Sequence, residues 1–122
     1  MKIVVADDDP VARLLIEATL ISMGHQVIAC SDGATAWDAI SGCGARIVVS
    51  DWMMPGMDGL ELCRRLRCSN QKVYFILVSS TVNTPTREQQ AVDAGVDDVI
   101  LKPAMPDVLC EHMRAAELQC VA

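Results

Sequence analysis

Several short apolar runs in this 122-residue chain end on groups that can do chemistry. "KIVVA" runs into Asp7, Asp8 and Asp9, and "RIVVS" runs into Asp51. "VYFILVS" ends on Ser79, with Ser80 and Thr81 next, and "DVIL" leads into Lys102 and Pro103. "QVIAC" is followed only by Ser31 and Asp32. Carboxylates gathered at one place repel, so one must hold its proton or a cation must join them. Oxygen donors without histidine or thiolate suit a hard cation, Mg²⁺ above all. A carboxylate such as Asp51 is also a nucleophile able to form an acyl phosphate. A nearby lysine neutralises phosphoryl charge, and a small hydroxyl donates to the same oxygens.

That chemistry requires the runs to end at one edge, and the pattern between them predicts that they do. The strands are expected at 2–6, 26–30, 46–50, 73–79 and 98–101, each short, apolar and rich in β-branched residues. Between them lie helical segments. Asp9 and Pro10 supply an N-cap and first-turn proline for a helix through Val11, Leu14, Leu15, Ala18 and Ile21, closed by Gly24. Asp32 opens a second helix with Ala36, Trp37 and Ile40 on its inner face. Asp58 and Glu61 form a capping-box-like start for a third, 59–68. Thr84 and Pro85 start a fourth, which Gly95 ends, and Pro106 starts the last. Five βα units with continuously apolar strands imply a parallel sheet covered on both faces, a doubly wound α/β sandwich. Ligands in such sheets bind beyond the carboxyl ends of the strands. The acids after the first and third strands, the hydroxyls after the fourth and the lysine after the fifth therefore converge. The Pro-Gly turn after Asp51 re-aims the chain so that its backbone can face a metal.

Composition narrows the classes. With 52% hydrophobic residues the chain can build one core, 1–122, without disulfides or structural metal. Its net charge of −6 argues against direct contact with nucleic acid or an anionic membrane. Arg64, Arg65 and Arg67 of "RRLR" read as a solvated helix face. The six cysteines show no C-x-x-C pair or zinc spacing and read as reduced thiols. No signal peptide or spanning stretch is evident, which predicts a cytosolic protein.

The stretches "VVADDDP", "DWMMPGMDG", "FILVSS" and "AGVDDVILKP", in this order and spacing, resemble the receiver domain of bacterial response regulators over essentially the whole chain. The resemblance implies a flavodoxin-like sheet of order 2-1-3-4-5 between five helices. It implies that Asp7 and Asp8 hold Mg²⁺, Asp8 more directly, with the backbone carbonyl of Met53 as a further ligand. Asp51 matches the phospho-accepting aspartate, Ser79 the switch hydroxyl and Lys102 the lysine that contacts the phosphoryl group. Pro103 matches a proline the family usually holds in a cis peptide. A sensor histidine kinase or histidine phosphotransfer protein would be the donor. The output would be altered partner binding or dimerisation through the fourth helix, fifth strand and fifth helix. The domain would be a switch with self-phosphorylation and self-dephosphorylation activity, not a metabolic enzyme.

This chain departs from the family pattern twice. Val99 stands where receivers usually carry Tyr or Phe, and the segment from Ser79 to Lys102 is one residue longer than common. Either the loop "STVNTP" holds the extra residue, or Ser80 is the switch hydroxyl; Val78 before Ser79 favours Ser79. An aspartate-nucleophile phosphatase of the haloacid dehalogenase type would need an acid where Met53 stands. A flavin module would need a Ser/Thr/Gly-rich loop where "DDDP" stands. A degenerate receiver would lack site residues that are present here. The last helix nearly reaches Ala122, so no effector domain is expected within this stretch, whether it stands alone or comes from a longer chain.

Overall fold

A computed structural model of the chain describes residues 1–80 and 84–121. Five parallel strands, β1 (Lys2–Ala6), β2 (Gln26–Cys30), β3 (Ile47–Asp51), β4 (Tyr74–Ser79) and β5 (Asp98–Leu101), lie in the order β2-β1-β3-β4-β5. The helices are α1 (Pro10–Ser22), α2 (Gly33–Cys43), α3 (Gly59–Cys68), α4 (Pro85–Ala94) and α5 (Pro106–Val121). Strand side chains alternate between two cores. Val4, Ala6, Val48, Phe75 and Leu77 pack under α2, α3 and α4, against Ile40, Leu62, Leu66 and Ala91. Ile3, Val5, Ile47, Val49, Ile76 and Val78 pack under α1 and α5, against Ile16, Leu20, Leu109 and Met113. Both faces are thus dry, which is why the strands read as unbroken apolar runs.

The helix ends follow their expected caps. Asp9 accepts from the Val11 N–H (3.0 Å), Asp32 from Thr35 (2.7 Å), Asp58 from Glu61 (2.8 Å) and Thr84 from Arg87 (3.2 Å). Gly95 ends α4 in the left-handed region at φ 88°. Ala36 and Ile40 are buried and Trp37 half-buried, as the sequence predicts for α2.

Two expectations need correction. The apolar stripe that marks α1 is not the stripe that buries it. Val11, Leu14 and Ile21 are 77%, 64% and 54% exposed, and the sheet is met by Ile16, Thr19 and Leu20 instead. The helix is apolar on two sides, and periodicity alone cannot choose between them. Arg67 is also no solvated side chain. Its guanidinium donates to the carbonyls of Gly95 (2.9 Å) and Val73 (2.8 Å) and pairs with Asp97 at 2.7 Å. It ties α3 to the turn after α4, and the Asp97 carboxylate in turn accepts the Phe75 N–H at 2.8 Å. Arg64 and Arg65 are solvated, as expected, beside Glu61.

All six cysteines are free thiols. Burial pushes the Cys63 thiol up to about 11, while Cys68 lies exposed at the end of the same helix. At pH 8 a thiol of that pKa is on the order of 0.1% thiolate, and burial also keeps the reagent from its sulfur. Iodoacetamide on the native chain is therefore expected to modify Cys68 at least tenfold faster than Cys63, as followed by peptide mass mapping. Equal rates would contradict the packing of α3.

Candidate functional site

The sheet order reverses between β1 and β3, since β1 runs on through α1 to β2 on one side and pairs with β3 on the other. The register sets Ala6 opposite Ser50, so the next residues, Asp7 and Asp51, flank the crevice. Asp51 pairs with Val78, and Ser79 pairs with Leu101, directly before Lys102. One carboxylate oxygen from each of Asp7, Asp8 and Asp51 lies within 4.8 Å of the others. Asp7 and Asp51 are 1% and 6% exposed, whereas Asp8 faces solvent.

Lys102 Nζ reaches across from β5, 2.9 Å from Asp51 Oδ2 and 3.6 Å from Asp7 Oδ2. Burial pulls its ammonium down, but hydrogen bonding and charge from Asp51 and Asp7 outweigh that and hold its pKa above the ordinary value. The peptide after it, Lys102–Pro103, is cis, and the backbone N–H of Lys102 donates to the Ser79 carbonyl at 2.8 Å. Asp7 is anchored at Oδ1, which accepts the Asp9 N–H at 2.9 Å, and its carbonyl accepts from Arg13 at 2.9 Å. Burial is the main cause that raises its carboxyl pKa, with the Asp51 charge adding to it.

The donors fit a hard divalent cation. Asp7 Oδ2 is buried without a hydrogen-bond partner among the described residues and is faced by the Lys102 ammonium only at ion-pair distance, 3.6 Å, so it keeps a lone pair for a second cation. The other donors are carboxylates as well.

The sequence-predicted residues thus meet. Asp7, Asp8, Asp51 and Lys102 form one cluster, and Ser79 is buried at the end of β4 beside it, while Ser80 is exposed. Met53 holds its side chain 64% exposed, and its N–H lies 3.4 Å from Asp51 Oδ1. Thr81 and the core of the "STVNTP" loop lie outside the described residues. Asp9 and Asp58 serve as caps, as their positions in the sequence predict.

Three features were not predicted. Arg13 holds the Asp7 carbonyl. Gly59 lies so close that a Cβ there would sit 2.3 Å from the Asp51 carbonyl oxygen. The Arg87 guanidinium of α4 stacks 4.8 Å above the ring of Trp52, the residue after Asp51. Only the last had any signal, an aromatic of buried type beside the acid, and nothing in the sequence named its partner.

A family model described as the response regulator receiver domain matches residues 3–114. The chain is 33% identical over 116 residues to chemotaxis protein CheY1 of Helicobacter pylori, covering 93% of this chain and 94% of that one. It is 36% identical over 115 residues to response regulator MprA of Mycobacterium avium, covering 94% of this chain but 50% of that protein's length. Among solved structures it resembles the BeF3-activated N-terminal receiver domain of Klebsiella pneumoniae RstA, with a TM-score of 0.85 at 32% identity, covering 95% and 97% of the two chains.

Proposed function

The chain belongs to the response regulator receiver domain family, the CheY-like receivers of two-component signalling, and from that premise we propose that Asp51 is its phospho-acceptor. The observation that carries this is the contact of Lys102 Nζ with Asp51 Oδ2 at 2.9 Å inside a cluster of three carboxylates. A cation already touches the oxygen at which phosphoryl charge would arrive.

The donor is a phosphohistidine on a sensor kinase or phosphotransfer protein. An Asp51 carboxylate oxygen attacks phosphorus and forms an acyl phosphate. The P–N bond breaks, its electron pair returns to the imidazole, and that ring takes up a proton from solvent. Asp7, Asp8, Asp51 and the Met53 carbonyl would hold Mg²⁺, which supplies charge neutralisation for the phosphoryl oxygens when bound. Lys102 supplies it from the other side, and the Ser79 hydroxyl donates to the same oxygens once they arrive. Water on the acyl phosphate reverses the state slowly. Exposed Val11, Leu14, Met53 and Met105 stand on the segments around the acids, an apolar collar suited to a protein donor. The state is read as altered partner binding on the face of α4, β5 and α5. No helix among the described residues is long and apolar enough to cross a membrane.

Two measurements test the reading. Acetyl phosphate with Mg²⁺ should add one phosphoryl group by intact mass, and hydroxylamine should remove it. Mg²⁺ should also raise the Tm of the parent chain, by about 2.7 kcal/mol of stabilisation at a hundredfold excess over Kd. Asp8→Ala should lose most of that shift. An undiminished shift in Asp8→Ala would show that the cation sits elsewhere.

A further inference from the structure

A surface groove of about 390 Å³ runs between α4 and β5. Buried Ala91 and half-buried Val96 and Val99 give it an apolar floor, and Val92, 68% exposed, stands on the helix wall. Val99 is short, so the floor stays open. The rim is acidic, with Glu88 on α4 and Asp97 and Asp98 on the opposite side, and no lysine or arginine lines it. Asp97 pairs with Arg67 at 2.7 Å, and Asp98 lies 2.5 Å from His112 Nδ1. Glu88 is exposed and has no ion-pair partner among the described residues, so the groove keeps an excess of negative charge.

We propose that this groove docks a basic segment of a partner protein that carries an aromatic side chain between lysines or arginines. The aromatic fills the space above Val99, and the flanking cations meet Glu88 and the rim. Charge decides against a second copy of this chain, because a symmetric pairing would set the same acids face to face between two molecules of net charge −6. The proposal deepens the phospho-acceptor reading and rests on it for its control. Arg87 fastens the first turn of α4 to Trp52, and Glu88 is the next residue. A change at Asp51 reaches the groove wall through that stack.

The test uses the full chain and three fluorescein-labelled peptides, read by anisotropy with and without beryllofluoride. One peptide carries Trp between two Lys-Arg pairs, one replaces Trp by Ala, and one replaces the cations by Glu. The first should bind, with amide shifts at Val92, Val96 and Val99, and the other two at least tenfold more weakly. Val99→Tyr should fill the groove and weaken the first peptide about tenfold, and Glu88→Gln about threefold. Beryllofluoride should change its affinity at least threefold, and Arg87→Ala should abolish that response while leaving the basal affinity within twofold. Equal binding of the acidic peptide, or no effect of Val99→Tyr, overturns the groove. So does sedimentation showing a dimer with shifts confined to these residues. An affinity indifferent to beryllofluoride overturns the coupling. Phosphoryl uptake from acetyl phosphate is measured on the same samples, so loss of the Asp51 reading shows separately from loss of the groove.

Discussion

Asp51→Asn takes up no phosphoryl group from acetyl phosphate and Mg²⁺, and it does so while folded as firmly as the parent. Both halves follow from the cluster. The amide oxygen at position 51 is far too weak a nucleophile to form an acyl phosphate. The fold loses little, because Lys102 keeps Asp7 within 3.6 Å once its 2.9 Å contact with Asp51 weakens. The substitution also removes one of three crowded carboxylates, and with it a repulsion that helps raise the pKa of Asp7. Without metal the variant's Tm should therefore equal or exceed the parent's. Uptake is expected to fall at least a hundredfold by intact mass. Normal labelling of Asp51→Asn would place the acceptor elsewhere. Lost labelling with a collapsed Tm would mean that the carboxylate is structural.

The clarity of this site in the sequence has a physical source. A strand buried on both faces needs an apolar run, so each run announces a strand, and whatever polar residue ends it marks the carboxyl edge. Asp7, Asp51, Ser79 and Lys102 were legible on that ground alone, and three of the five strands match to the residue. β3 sits one residue further along than its apolar run, because Asp51 itself still pairs with Val78. Side-chain choices between elements distant in the chain were not legible. α1 offers two apolar stripes, and the sheet and the neighbouring α5 together decide that Ile16 and Leu20 turn inward. Arg67 sits in a run of arginines that reads as solvated, yet carbonyls from two other segments converge on it. The stack of Arg87 on Trp52 depends on where α4 lands over the sheet, which no local pattern encodes.

Gly59→Ala is expected to be among the most damaging single-methyl additions in this chain. Gly59 opens α3 directly after its cap, Asp58, and its N–H donates to the Trp52 carbonyl at 2.9 Å. A Cβ there would lie 2.3 Å from the Asp51 carbonyl oxygen and 2.8 Å from Leu77 Cδ1. The nearer obstacle is backbone of a fully buried strand, which cannot rotate aside as a side chain could. Either α3 lifts from the core that Leu60, Leu62 and Leu66 build, or the strand end that aims Asp51 shifts. Overpacking of this kind costs about 3 kcal/mol, on the order of 10 °C in Tm for a domain of this size. A displacement of about 1 Å at the acceptor would lower phosphoryl uptake roughly a hundredfold. Gly42 supplies the control. It lies exposed inside α2, with nothing within 4 Å of the place a methyl group would take, so Gly42→Ala should stabilise by about 0.5–1 kcal/mol. Chemical denaturation of the two variants decides the matter. If Gly59→Ala unfolds within about 0.5 kcal/mol of the parent and still labels at Asp51, then α3 does not press on the acceptor strand as closely as its geometry says.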